Sequence, residues 1–403
     1  MRRSSLRSDA ATQDGSAAPA GLFDHVLARG AVRSTVDDAA WLRAMLRVER
    51  ALALANSWVG VIPVEAGPAI GLLCDTVRLD VGELASAAAA SGNPVVPLVD
   101  ALRDAARPDL GEHIHKGATS QDIMDTAEML VARDALGVIL DDLNGAVTAA
   151  ADLARRHRDT AMAGRTLLKQ AVPTTFGLKA AGWMLGLEQA AARVAVVRMG
   201  LPIQLGGAAG TRSRLGGRGE DVARELAQEL GLGDPILPWH AIRVPIADLA
   251  MALGCAAGVV GKVARDITLL SQDEVAEVSE GNPGGSSAMA HKRNPVAAVS
   301  VLAGASQAPG LVATLLAAMV QEHERAAGAW HAEWRPLREL LVATGSAASW
   351  LRACLTDLIV FPDAMRTHLM TLQHTLGAEP GHIDVGEAPH LVDAALRHRE
   401  ETG

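Results

Sequence analysis

Pro245-Ile-Ala-Asp-Leu-Ala-Met-Ala-Leu-Gly-Cys-Ala-Ala-Gly-Val-Val-Gly-Lys-Val-Ala-Arg-Asp-Ile-Thr-Leu-Leu-Ser271 is the stretch that decides the fold. It is rich in Ala, Leu and Val and runs uninterrupted for about 26 residues, which as a helix at 1.5 Å per residue spans on the order of 40 Å. Val172–Met199 and Pro295–Val320 repeat the pattern, and glycine-rich connectors at Gly206–Gly219 and Gly281–Gly285 separate these segments. Long unbroken helices predict an extended bundle. The last segment, Pro295–Val320, carries no charge, but Ser300, Ser306, Gln307 and Pro309 sit inside it, so a buried bundle helix fits better than a membrane span.

Upstream, Thr35–Ala55 has helical spacing, with Trp41, Met45, Val48 and Leu52 on one face and Arg43, Arg47 and Arg50 on another. Shorter helical pieces follow to about Asp109. A long amphipathic helix then begins near Ser120 and runs past Gly137, with Ile123, Ala127, Leu130 and Val131 inward. No internal repeat is present. The expected organisation is a disordered tail at residues 1–20, an N-terminal helical domain at 21–137, a central bundle at 138–362 and a short C-terminal segment at 363–403. Helices apolar on more than one face cannot all be covered by one chain, so a homo-oligomer is expected.

Composition narrows the function. The 403 residues are 49% hydrophobic but only 2% aromatic, with no tyrosine, so small aliphatic side chains must build the core. A net charge of −9, with no basic cluster beyond the first seven residues, argues against a nucleic-acid partner. Cys74, Cys255 and Cys354 are far apart and lack metal-ligand spacing, which predicts free thiols in a reducing cytoplasm. The basic, Ser/Ala-rich start has no apolar core of the kind a signal peptide needs.

Three segments carry the chemistry. Gly281-Asn-Pro-Gly-Gly-Ser-Ser-Ala-Met-Ala-His-Lys-Arg-Asn-Pro295 is a flexible loop running into His291, Lys292, Arg293 and Asn294 at the start of an apolar helix. A hydroxyl works as a base only where positive charge, amide N–H groups or a helix N-terminus stabilise its alkoxide. This loop offers all three; a solvated linker is the plainer alternative. In His113-Ile-His-Lys-Gly-Ala-Thr-Ser-Gln-Asp122, Thr119 and Ser120 stand where a helix should begin. Their hydroxyls and the free amides suit a carboxylate, although Ser and Thr there also serve as ordinary caps. The pair His113 and His115 lacks a third ligand, and no metal site is expected. In Gly164-Arg-Thr-Leu-Leu-Lys-Gln-Ala-Val-Pro-Thr-Thr-Phe-Gly177, Leu167 and Lys169 are the informative residues. Gly206–Gly219 lacks the ending of a phosphate loop. Glu322, His323 and Glu324 fit a solvated or hydrogen-bonded helix face better than a metal cluster.

The first loop resembles the signature G-S-S-x-M-P-x-K-x-N-P of the fumarase/aspartase superfamily. Gly285, Ser286, Ser287, Met289, Lys292, Asn294 and Pro295 match, and Ala290 replaces the proline. The His113 segment is similar to the superfamily's H-x-G-x-T-S-x-D region, and the Gly164 segment to G-R-T-H-x-Q-x-A-x-P-T-T-F-G, with Leu167 where the lyases carry an acidic His. That branch without the His is the bacterial 3-carboxy-cis,cis-muconate cycloisomerases. Leu201–Thr211, with Gln204, Leu237–His240 and Glu322–Trp334 look like it too.

The resemblance covers about Gly21 to Ala364 and implies an all-α fold, a long central bundle and a homotetramer with sites shared between subunits. It implies interconversion of 3-carboxy-cis,cis-muconate and its lactone, a step of protocatechuate breakdown, without a cofactor. It assigns proton transfer to Ser286, and stabilisation of an aci-carboxylate to Lys292 and Asn294. His115, Thr119, Ser120 and Arg325 go to the substrate's carboxylates, with Arg165, Lys169, Gln204, His291 and Arg293 as further binding residues. The expected partner is a small polycarboxylate, and no membrane is involved. Two other readings stay open. One is a superfamily lyase, adenylosuccinate-type or with a small anionic leaving group; the other is a catalytically silent scaffold.

Overall fold

The computed structural model describes residues 21–376 and 383–402, so the expected N-terminal tail lies outside the described residues. Two short helices, α1 (Asp24–Leu27) and α2 (Val32–Thr35), lead into α3 (Asp38–Val59); α4 (Ala66–Thr76) and α5 (Val81–Ser91) pack against it, and α6 (Val95–Ala105) packs on α4, α5 and the start of the bundle. Asp37 caps α3 by accepting the Ala40 N–H at 2.8 Å, and Gly60, in the left-handed region at φ +81°, ends it. Met45, Val48 and Leu52 are buried, while Arg43 and Arg47 stay in solvent, as the spacing predicts.

The bundle consists of α7 (Ser120–Arg156), α8 (Phe176–Met199), α10 (Val244–Leu270), α11 (Val296–Ala317) and α12 (Ala329–Thr356), with α9 (Gly219–Leu230) on its flank. After α12 come α13 (Pro362–Leu376) and α14 (Ala388–Thr402). The fold is all-α. Among the described residues its strands are confined to an antiparallel hairpin of β1 (Ala161–Thr166) and β2 (Lys169–Thr175), and a two-residue pairing of β3 (Val278–Ser279) with β4 (Ile359–Val360).

Contacts along the helices fix their directions. Trp330, at the start of α12, hydrogen-bonds Asp125 near the start of α7, and Arg352 near its end pairs with Asp142. These two helices therefore run parallel. Arg243, one residue before α10, also binds Asp125, so α10 points the same way. In contrast, α8 begins beside His157 and ends where Arg198 meets the Arg133 carbonyl, antiparallel to α7. The α11 helix returns toward the start of α12, where Gln321 reaches Glu333. Close approach needs small residues: a Cβ on Gly304 would lie 2.9 Å from the Ala343 carbonyl oxygen across the α11–α12 contact.

Five features differ from the expectations. Val172–Thr175 belongs to β2 rather than to the helix, because Ala161–Thr166 pairs with it. Helix α12 was not foreseen; its charged first half and internal Pro336 hide the apolar pattern. Glu322, His323 and Glu324 form a turn ahead of α12 instead of a helix face, with the Glu322 carboxylate accepting the Ala327 N–H at 3.1 Å. Helix α11 is only partly covered: 28% of its most apolar window is buried, against 50% for α10, so the chain leaves an apolar face on α11 open. The expected border between residues 137 and 138 falls inside α7, which passes through it without a break.

Candidate functional site

The start of α7 is enclosed on all sides: every residue from Gln121 to Ala132 is buried, including Asp122, Asp125 and Glu128. Buried carboxylates need partners, and these partners build one end of the bundle. Asp122 accepts the Thr119 N–H at 2.9 Å, which sets the first turn, and also the N–H groups of Gly206 and Gly207, each at 2.9 Å. His240 Nε2 meets it at 2.7 Å. The glycine-rich connector is thus fastened to the helix start through its Gly206 and Gly207 amides. Gln121 accepts from Arg325 Nε at 3.0 Å, and Arg325 Nη1 donates to the Ala208 carbonyl at 3.1 Å. Arg325 has only neutral acceptors among the described residues, so its charge is available to an anion. Thr119 and Ser120, half-buried, lie beside it through Gln121.

His115 belongs to the same end. Its Nδ1 lies 2.6 Å from Oε1 of Glu49 on α3, and its backbone is left-handed at φ +60°. One layer deeper, Arg243 binds Asp125 at 2.7 Å and Glu333 at 2.7 Å, all three fully buried. Burial raises the Glu333 carboxyl, and the Arg243 guanidinium draws it back. This cluster pins the beginnings of α7, α10 and α12 together. Gln204 belongs to it: its amide donates to Asp125 at 3.1 Å and accepts the Trp239 N–H at 2.9 Å, with no exposure. Expected at the substrate, Gln204 is instead an internal strut in this chain.

The Ser286 loop sits at the other end. Gly281 packs against Asp357, just past α12, and the Asn282 amide donates to the Asp357 carboxylate at 3.2 Å. Gly284 and Asn294 exchange two backbone hydrogen bonds of 2.8 Å, closing the loop into a ring, and the Asn294 amide donates to the Gly285 carbonyl at 2.9 Å. Inside that ring Ser286 Oγ accepts the N–H groups of Ala288 at 3.3 Å and Met289 at 3.2 Å. Amides therefore reach the hydroxyl, as expected. The helix N-terminus does not: Glu280 occupies it, accepting from Ala297 at 3.1 Å and Ala298 at 2.7 Å. His291, Lys292 and Arg293 are exposed on the loop surface.

The β1–β2 hairpin shares this end. Arg165 forms two 2.8 Å bonds to the buried Glu277, which also meets His368 Nδ1 at 2.9 Å. Arg165 is thus committed within the chain, contrary to its expected place at the substrate. The hairpin turns on Leu167 and Leu168, at φ +50° and +65°, so two leucines occupy positions that Asn and Gly normally fill. The Leu167 side chain is 97% exposed at the tip, and Lys169 follows it in solvent.

Thr119, Ser120, His115 and Arg325 are therefore brought together, and so, separately, are Ser286, Lys292, Asn294 and the hairpin. The 28 residues of α12 lie between the two groups, about 40 Å along its axis. The two groups of expected site residues thus sit at opposite ends of the bundle in one chain. Glu49, Gln121 and Glu280 were missed because their partners are distant in sequence and no local pattern marks them. Asp122 and His240 were visible only as letters of longer motifs.

The family model described as Lyase matches residues 33–310. The chain is 44% identical over 389 residues to a 3-carboxy-cis,cis-muconate cycloisomerase of Bradyrhizobium diazoefficiens, spanning 93% of this chain and 86% of that one. It is 46% identical over 363 residues to a nitrosuccinate lyase of Streptomyces davaonensis, spanning 87% and 77%. Among solved structures, the 3-carboxy-cis,cis-muconate lactonizing enzyme from Pseudomonas putida superposes with a TM-score of 0.86 at 34% identity, covering 94% of this chain and 99% of that one.

Proposed function

The chain belongs to the lyase family, and on that premise we propose that it interconverts 3-carboxy-cis,cis-muconate and 4-carboxymuconolactone. The observation that carries this reading is its likeness to the Bradyrhizobium cycloisomerase across nearly its whole length. In the ring-opening sense a proton leaves the carbon beside a carboxylate, giving an aci-carboxylate, and the lactone oxygen departs as a carboxylate. That leaving group is a stable anion and needs no proton from an acid, in keeping with Leu167 at the hairpin tip.

Ser286 moves the proton, and the two amides on its oxygen support its alkoxide. Lys292 and Asn294 stabilise the intermediate; Thr119, Ser120, His115 and Arg325 take substrate carboxylates, and Lys169, His291 and Arg293 add positive charge around them. A polyanionic substrate meeting a chain of net charge −9 requires such a local excess. Half-sites at opposite ends of one bundle and the open apolar face of α11 support a homotetramer whose sites are shared between chains. The enzyme uses no cofactor and works in the cytoplasm.

The likeness to nitrosuccinate lyase favours one second reading, because nitrite also leaves as a stable anion and Leu167 suits it equally. Purified protein should convert 3-carboxy-cis,cis-muconate to the lactone, followed by ultraviolet absorbance, without releasing nitrite from nitrosuccinate. Nitrite release with inert muconate replaces the first reading by the second. Inertness toward both, with a folded protein, removes the enzymatic readings based on these two relatives.

A further inference from the structure

We propose that Glu49 is a positioning residue that holds His115 as an imidazolium, so that its Nε2–H anchors a substrate carboxylate and His115 does not act as a base. The inference rests on the proposed function for the identity of the anion, but the pairing itself rests on geometry. Glu49 is only 1% exposed, in the middle of α3, and a carboxylate buried there needs a cationic or hydrogen-bonding partner. His115 Nδ1, 2.6 Å away, is that partner. The distance is that of a charge-assisted bond.

The contact spends one ring nitrogen and leaves the other. Nε2 has no partner among the described residues, and it is not one of the buried side-chain atoms left unpaired. The imidazole is therefore open on its far edge, on the same loop as Thr119. The loop is built to keep it there: His115 sits at φ +60° and Gly117 at φ +83°, and the Asn56 amide holds the intervening Lys116 carbonyl at 3.0 Å. A non-glycine residue held in the left-handed region is unfavourable by itself and persists where its surroundings enforce it.

The charges facing the ring come from three helices. Burial works against the imidazolium, but the Glu49 charge and hydrogen bond from α3, helped by Asp122 on α7, outweigh it against the opposing Arg103 on α6; the balance lies above the ordinary histidine value. Lys116 is the neighbouring cation along the chain. An imidazolium whose Nδ1–H is held by the buried Glu49 carboxylate donates its other N–H to an anion and does not accept a proton from carbon. Base chemistry is thereby left to Ser286.

The test begins without substrate. In the full-length protein labelled with 13Cε1-histidine, with His115→Asn used to assign the resonance, His115 should titrate above the ordinary value of about 6.5. In Glu49→Gln it should titrate at or below it, and equal midpoints in the two proteins overturn the pairing. In turnover of 3-carboxy-cis,cis-muconate, Glu49→Gln should raise KM about 10- to 100-fold with a smaller effect on kcat, and move the alkaline limb of kcat/KM to lower pH. In a His115→Asn background the same change should add little; an equal loss in both backgrounds makes Glu49 merely structural and overturns the proposal. If Glu49→Gln does not fold, Glu49→Asp keeps the charge on a shorter arm and should give an intermediate midpoint, an unchanged one being the contrary result. A normal Glu49-dependent titration with inert muconate would mean that the pairing stands and the assigned reaction fails.

Discussion

Glu128 shows how a single carboxyl can set the pH response of this fold. It is buried in the wall of α7, its Oε1 has no hydrogen-bond partner, and burial, followed by the nearby Asp125 charge, raises its carboxyl well above the usual range despite Arg243. Its folded value exceeds its unfolded one, so folding takes up a proton once the pH passes the ordinary glutamate range. Stability then falls by about 1.4 kcal/mol per pH unit until the folded value is reached. Glu128→Gln needs no proton and should melt higher than the parent, with a gap that widens from pH 6 to pH 8. A constant gap would show that Glu128 is ionised in place. At the loop, Ser286→Ala should lower turnover something like 10²–10⁴-fold with less effect on binding, and Ser287→Ala should be much milder. Loss of activity in Ser287→Ala alone would shift the base by one residue. Ser286, Lys292 and Asn294 could be named as candidates from the sequence because they lie within one contiguous motif. Glu49 was not, because its role depends on a histidine 66 residues away, and spacing along one helix face carries no trace of that.

Among the elements, the long helices were legible and the joints between them were not. Periodicity finds the start of α7 and both ends of α10 within a residue or so, since burial along one face imposes it. It misses the β1–β2 hairpin, whose turn uses two leucines at positive φ where turn chemistry would put Asn and Gly. It also leaves the start of α11 open, whereas the occupant is Glu280, 17 residues upstream of Ala297 and beyond any local capping pattern. That carboxylate fastens the root of the Ser286 loop to the helix that follows it. Glu280→Ala should therefore destabilise the protein by about 1–3 kcal/mol in urea unfolding and should also lower kcat by loosening the loop. Glu280→Gln keeps one acceptor and should lose less on both counts. An Ala variant as stable as the parent would mean that water replaces the cap, and the loop would then not depend on it.

Across the whole molecule, the two proposed groups of site residues lie at opposite ends of one chain. The residues proposed to bind the anion gather where α7, α10 and α12 begin, and the Ser286 loop stands where α10 and α12 end. Helices do not bend to close a gap of about 40 Å, so under the proposed function the site draws on a second chain whose bundle runs past the first. Light scattering of the purified protein should give the mass of about four chains. Mixing makes a stricter demand. Ser286→Ala and Arg325→Ala each disable one half-site, so either variant alone should be inactive or nearly so. Co-folded in equal amounts, they should regain about a quarter of the parent activity, because a random assembly pairs an intact loop from one chain with an intact Arg325 from another at that frequency. If each site were built within a single chain, every site would carry one defect and mixing would restore nothing. Activity in the mixture therefore reports the shared site directly. Its absence, with the oligomer intact, would require the two ends of this bundle to serve separate purposes.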